Sequence, residues 1–154
     1  MTQYWLMKSE PNTYSIDDLE RDGSTCWEGV RNYQARNLMK TMREGDLVLF
    51  YHSNADPPGV VGIARVVREA YPDHSSWDKR NKYYDEKSTK DDPRWFMVDV
   101  GYVQKLKHMV SLDVLKSAKG LEDMVVTKRS RLSVQPVKKK EFDIVKGLGS
   151  RAAK

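Results

Sequence analysis

Cysteine is nearly missing. Cys26 is the single one in 154 residues, which excludes an internal disulfide framework and a cysteine zinc cluster. Histidine is scarce as well: His52, His74 and His108 are scattered, with no HxxxH or HExxH spacing, so no metal is expected. No cofactor is expected either, because neither GxxxxGK[ST] nor GxGxxG occurs to cradle phosphates. No run approaches the roughly 20 apolar residues of a membrane span, so no membrane partner is expected. The start, "MTQYWLMKSEP", lacks a basic region followed by an apolar one and does not read as a secretory signal. A reducing, cytoplasmic setting and a monomer are the resulting expectations.

What is present is a charged, soluble composition: 39% hydrophobic and 32% charged residues, enough apolar matter for one core. One domain over 1–149 is expected, with 150–154 as a frayed tail. The net charge of +5 biases the chain towards anionic partners. The bias concentrates between Met124 and Lys140, where six Lys or Arg residues meet no Asp or Glu. Such a block is a solvated face or a phosphate-binding one.

Periodicity predicts a strand over 3–8 and a short helix capped by Ser15 with Asp18 three residues on and Gly23 at its end. A second helix follows Asn32 as N-cap, with Ala35, Leu38, Met39 and Met42 on one face. Strands are predicted over 47–51, 60–67, 95–103 and 131–134. Gly62 inside the second of these marks a bulge or a close backbone approach. Residues 71–94 form a long polar connection, with room for a short helix after Ser76. In 95–103, Phe96, Val98, Val100 and Tyr102 face one way and Trp95, Met97 and Asp99 the other. Ser111 caps a short helix that Gly120 stops, and a closing helix runs to Gly147. Antiparallel strands with helices at the edges give an α+β fold, with a curved sheet or small barrel.

Catalytic nucleophiles need a neighbouring base. Cys26 offers one only if His52 approaches it, and a free cysteine is otherwise a small buried hydrophobe. The pattern with chemical content is base recognition. A flipped base needs stacking faces, a polar rim and cations for its phosphates. Trp5, Trp27, Trp77, Trp95, Tyr33 and Tyr51 offer rings, of which Trp5 and Trp95 lie in strands and suit a core. Ser9, Asn32, His52, Ser53 and Asn54 offer rim donors and acceptors, although Asn54 also suits a turn. Lys8, Arg31, Arg36, Lys128, Arg129 and Arg131 offer charge.

The blocks "YWLMKSEP", "WEGVRNYQARNLM", "LVLFYHSN", "PGVVGIARV", "DPRWFMVDV" and "LSVQPV", in this order, resemble the EVE domain of the PUA-like superfamily, in its stand-alone bacterial type. The resemblance spans about Tyr4 to Val145. It implies a small, strongly bent β-barrel of five to six mostly antiparallel strands with flanking helices. It also implies kinship with the YTH domain, which reads a methylated base through an aromatic cage. The YTH-like features here are Lys8 and Ser9, then Trp27, then "FYHSNADPPGVVGIA", with Trp77 in the place of a later cage tryptophan.

On this reading the partner is nucleic acid carrying a modified base, such as methylated or hydroxymethylated cytosine in DNA or RNA, or a free modified nucleoside. Trp27 would stack on the base and Gly29 would let the backbone come close. Val30 and Asn32 would read its edge, with Lys8, Ser9, Tyr33, Tyr51, His52, Ser53, Asn54 and Trp77 completing the pocket. Arg31, Arg36, Lys128, Arg129 and Arg131 would meet phosphates. The function is then non-catalytic. The alternative is another PUA-like branch, the ASCH domain, whose hydrolases and nucleases use Lys and Glu; Lys8, Glu10 and Glu28 would serve there.

Overall fold

A computed structural model describes residues 2–128 and 131–150 of the chain. Six strands form one mixed sheet in the order β2-β5-β4-β3-β1-β6. They are β1 (Tyr4–Ser9), β2 (Ser24–Cys26), β3 (Leu47–His52), β4 (Gly59–Pro72), β5 (Phe96–Ser111) and β6 (Val134–Val137). Every neighbouring pair is antiparallel except β1 and β3, which run parallel from Tyr4↔Leu47 to Ser9↔His52. Among the described residues four α-helices flank the sheet: α1 (Ile16–Asp22), α2 (Tyr33–Met39), α3 (Leu112–Ser117) and α4 (Lys139–Ser150). The expected α+β class and strand number hold. The sheet stays open, however, with the short strands β2 and β6 at its two edges, so no barrel closes among the described residues.

Both faces of the sheet are covered. Trp5, Met7, Val48 and Phe50 enter one core with Leu19, Ala35 and Met39. Leu6, Leu49 and Tyr51 enter the other with Leu106, Leu115 and Phe142. Alternate residues of β1 and β3 thus serve opposite cores, which is why "LVLFY" is an unbroken apolar run.

The caps read from sequence form. Ser15 accepts from the Asp18 amide while Asp18 accepts from the Ser15 amide, and Gly23 ends α1 at φ 81°. Asn32 accepts from the Ala35 amide at the start of α2. Gly62 sits at register shifts on both sides of β4, where an added Cβ would meet the Ile16 side chain and the Gln104 carbonyl.

The boundaries differ where pairing overrode local pattern. β4 and β5 run on to Pro72 and Ser111 because they pair with each other along their length. Trp95, expected in a strand, precedes β5; Met97 and Val98 are both buried, so the start of β5 is covered on both faces, whereas from Val103 to Met109 the strand is exposed at every second residue, as a half-buried strand is. β2 was not expected, since three residues carry no periodicity. β6 begins at Val134, three residues later than predicted, and keeps Pro136 because an edge strand leaves one side unpaired. A 3-10 turn spans His74–Trp77, capped by Asp73, rather than following Ser76. α3 ends at Ser117, ahead of Gly120. α4 continues past Gly147 to Ser150, with Gly149 packed so closely on Leu106 that a Cβ would lie 2.6 Å from it. Ser150 thus belongs to a helix, and the rest of the tail expected to fray, 151–154, lies outside the described residues.

Candidate functional site

The parallel strands β1 and β3 end side by side, Ser9 opposite His52, and the loops that follow them border one cleft. Its volume is 1450 Å³. One side is Lys8, Ser9 and Glu10 from the end of β1, with Thr13 and Tyr14. A second is the run from Thr25 to Arg31. Ser53 and Asn54, Lys82 and Tyr83, and Arg131 and Ser133 complete it.

Trp27 belongs to a core and to the cleft together. It is 8% exposed, packs edge-on against Phe50 at 5.4 Å, and its amide donates to the Val98 carbonyl at 2.8 Å. Trp27 is also among the residues that line the cleft. It is therefore a fixed wall rather than a free platform.

Beside it, Gly29 takes φ 86°, in the left-handed region that glycine enters without strain. Its amide donates to Asp73 Oδ2 at 2.8 Å. The approach foreseen for a base at Gly29 is made instead by Tyr83: an added Cβ would stand 2.5–2.6 Å from three atoms of that ring. Tyr83 carries no sequence signal beyond being aromatic in a polar stretch. It reaches the cleft because the 73–95 segment is folded by polar contacts. Asp85 accepts the Trp95 indole N–H at 2.7 Å and its amide donates to the Ser76 carbonyl at 2.8 Å. The Ser76 and Ser88 hydroxyls meet at 2.9 Å, and Ser88 accepts from the Arg94 amide.

Arg31 lines the cleft, but its guanidinium is committed inward. It donates to the Tyr83 carbonyl, the Val30 carbonyl, Ser75 Oγ and Asp73 Oδ2. Asp73 is fully buried, and its other oxygen accepts from the amide and hydroxyl of Ser75. Glu28, Asp73 and His74 bring possible ligand atoms within 4.8 Å of one another. Both Asp73 oxygens already accept hydrogen bonds, so Asp73 acts as a hydrogen-bond hub.

Several residues expected in the base pocket or at the phosphates lie elsewhere. Asn32 spends its carboxamide on capping α2. Tyr33 is 51% exposed and stacks on Trp95 at 4.9 Å. Arg36 lies over Tyr33 at 4.8 Å and donates to the Arg94 carbonyl and to Asn37. Trp77 is half-buried in the 3-10 turn, outside the cleft lining. Tyr51 is buried in the second core, its hydroxyl pKa pushed up by burial. His52 Nε2 accepts the Ile16 amide at 3.1 Å, holding the start of α1. Lys128 is exposed and pairs with Asp123 at 3.7 Å, also outside the lining. Arg129 lies outside the described residues. These seven described residues lie outside the cleft lining, each with its own place in the fold.

Lys8, Ser9, Trp27, Gly29, Val30, Ser53, Asn54 and Arg131 do meet in the cleft. Ser9 donates to the Tyr14 carbonyl at 2.6 Å, and its own carbonyl accepts from the Ser53 amide. Asn54 takes φ 50°, a turn conformation asparagine tolerates. The Lys8 ammonium lies 5.7 Å from the Tyr51 ring centre, and burial lowers its pKa from the ordinary lysine value. Cys26 lines the cleft, but burial, and then the carboxylate of Glu28, raise its thiol pKa, which disfavours the thiolate a nucleophile needs.

Residues 3–148 match the sequence model of the EVE domain. The chain belongs to the EVE domain family. Human thymocyte nuclear protein 1 is 44% identical over 167 residues, covering 96% of this EVE chain and 74% of its own. A structure of that human protein in complex with DNA containing 5-methylcytosine superposes with a TM-score of 0.92 at 43% identity, covering 99% of this chain and 100% of that one. A hypothetical protein from Leishmania major gives a TM-score of 0.94 at 47% identity, over 97% of this chain and 95% of its own. With eukaryotic relatives so similar, the EVE chain is not marked as a bacterial type. The YTH domain of Zygosaccharomyces rouxii MRB1, in complex with N6-methyladenosine RNA, has a TM-score of 0.55 at 14% identity over 99% of this chain and 89% of that one, a likeness of fold alone.

Proposed function

We propose that this EVE protein is a non-catalytic binder of nucleic acid carrying a modified base, with 5-methylcytosine in DNA as the first candidate. The observation that carries this reading is a cleft lined by Trp27 together with Lys8, Lys82 and Arg131. A base entering there meets an aromatic wall, and its phosphates meet cations. The human relative's complex with 5-methylcytosine DNA supports the choice of mark.

Magnitudes limit what the wall alone does. A stacked base contributes about 1–3 kcal/mol. A methyl group buried in an apolar niche adds about 0.8 kcal/mol, roughly fourfold in affinity. Any larger preference must come from hydrogen bonds to the base edge. Glu10 and Glu28, both at the cleft, suit the exocyclic amine of a cytosine.

Equilibrium titration of matched oligonucleotides with and without 5-methylcytosine, at several salt concentrations, tests the reading. Tighter binding of the marked strand, falling steeply with salt, is expected. Equal affinity for both strands would overturn it, and a salt-independent preference for the free nucleoside would replace it.

A second reading rests on one observation: Lys8, Glu10 and Glu28 share the cleft. It is an ASCH-like hydrolase acting on nucleic acid or a modified nucleoside. Cleavage products that vanish in Lys8→Ala would establish it over simple binding.

A further inference from the structure

We infer that Tyr83 is a second base-contacting wall of the cleft, and that the Asp73–Arg31 pair is the device that positions it. This rests on the base-binding reading above and adds to it the residue facing the base and the residues that hold it.

Tyr83 sits in a polar, irregular connection where nothing apolar anchors it. Even so, its place is fixed from three directions. Arg31 donates to its backbone carbonyl through two guanidinium nitrogens, at 3.0 and 2.5 Å. Its own amide donates to Asn81 Oδ1 at 2.9 Å. Its ring lies over Gly29, so close that only a residue without Cβ leaves room. Arg31 and Gly29 are in turn both tied to one buried carboxylate, Asp73, which carries the strain-free glycine turn and the guanidinium together.

Such investment in one half-exposed ring has no return in core packing, for Tyr83 belongs to neither hydrophobic cluster. It does give the cleft a ring whose position is set before a ligand arrives. The Lys82 ammonium, 5.0 Å from the ring centre, and the Arg31 guanidinium, 5.7 Å from it, add positive charge beside that ring. A flat base with an anionic backbone is the ligand class suited by aromatic faces edged with cations. Pre-setting a stacking ring spares the ligand the entropy of ordering it.

The test is a mutant cycle read by titration with a 5-methylcytosine oligonucleotide and its unmarked match. Tyr83→Ala is expected to weaken the marked strand about tenfold or more. Tyr83→Phe, which keeps the face, is expected to stay within about twofold of wild type. Arg31→Ala is expected to weaken binding in the wild-type background and to add little in the Tyr83→Ala background, because its effect passes through the ring. Unfolding temperatures of all variants, taken alongside, separate loss of fold from loss of the wall. Tyr83→Ala binding like wild type, or losses that simply add, would overturn the inference while wild-type binding of the marked strand keeps the reading beneath it. A wild-type protein that prefers no marked strand would overturn both.

Discussion

Asp73 Oδ2 lies 2.8 Å from the Gly29 amide nitrogen and 3.1 Å from Arg31 Nη1, so one buried carboxylate joins the cleft wall to a segment more than forty residues away in sequence. Four further expectations follow from contacts of this kind.

Removing that carboxylate leaves the Gly29 amide without its acceptor and the Arg31 guanidinium without its counter-charge. Breaking a buried pair costs more than the pair contributes, because the remaining charge stays desolvated. Asp73→Ala is expected to lose about 3–5 kcal/mol in urea denaturation. A loss under about 1 kcal/mol, the worth of an exposed pair, would show that the hub is not needed for the fold.

Two glycines should respond to alanine with opposite signs. At Gly62 the new methyl meets Ile16 and the Gln104 carbonyl, and the backbone partner cannot rotate away. About 1–3 kcal/mol of destabilisation is expected from overpacking. At Gly147, inside α4, nothing lies within 4 Å of an added Cβ. There alanine is expected to stabilise by about 0.4–1 kcal/mol, chiefly by restricting the unfolded chain. Thermal unfolding of the two variants side by side checks both signs.

His52 makes the fold sensitive to mild acid. Burial lowers its pKa below the ordinary 6.5, with Asp17 pulling the other way, and its Nε2 must stay unprotonated to accept the Ile16 amide. The native state therefore binds fewer protons than the unfolded chain in the window below 6.5. The stabilisation is complete above that value and is lost as the pH falls through the lowered one. Denaturation at about pH 7.5 and about pH 5 should show a smaller acid loss in His52→Gln than in wild type. Equal losses would place the sensitivity elsewhere.

Arg131 lines the cleft, whereas Lys128 pairs with Asp123 outside its lining. If Arg131 meets a phosphate, Arg131→Ala should reduce the slope of log affinity against log salt by about 0.7–0.9. Lys128→Ala should leave that slope unchanged. The reverse result would move the phosphate path to the other side of the basic block.

The amino-acid sequence by itself determined the caps, the apolar runs and the order of elements. Ser15, Asn32 and Gly23 act through bonds to residues a few positions away, and such bonds need no knowledge of the rest of the chain. The motif blocks likewise carried the family, and Lys8, Ser9 and Trp27 as cleft residues followed from them. Tertiary structure alone decided which rings and charges border the cleft. Arg31, Arg36 and Tyr33 look alike as site residues in a line of sequence, but only Arg31 lines the cleft, its guanidinium held by buried Asp73, while Arg36 donates to the Arg94 carbonyl and Tyr33 stacks on the Trp95 indole. Tyr83, silent in its polar stretch, reaches the cleft through Arg31 and Gly29, 52 and 54 positions distant, and pairing over such separations leaves no periodic trace. Local bonds are written locally; a wall assembled from remote segments exists only once the chain has folded.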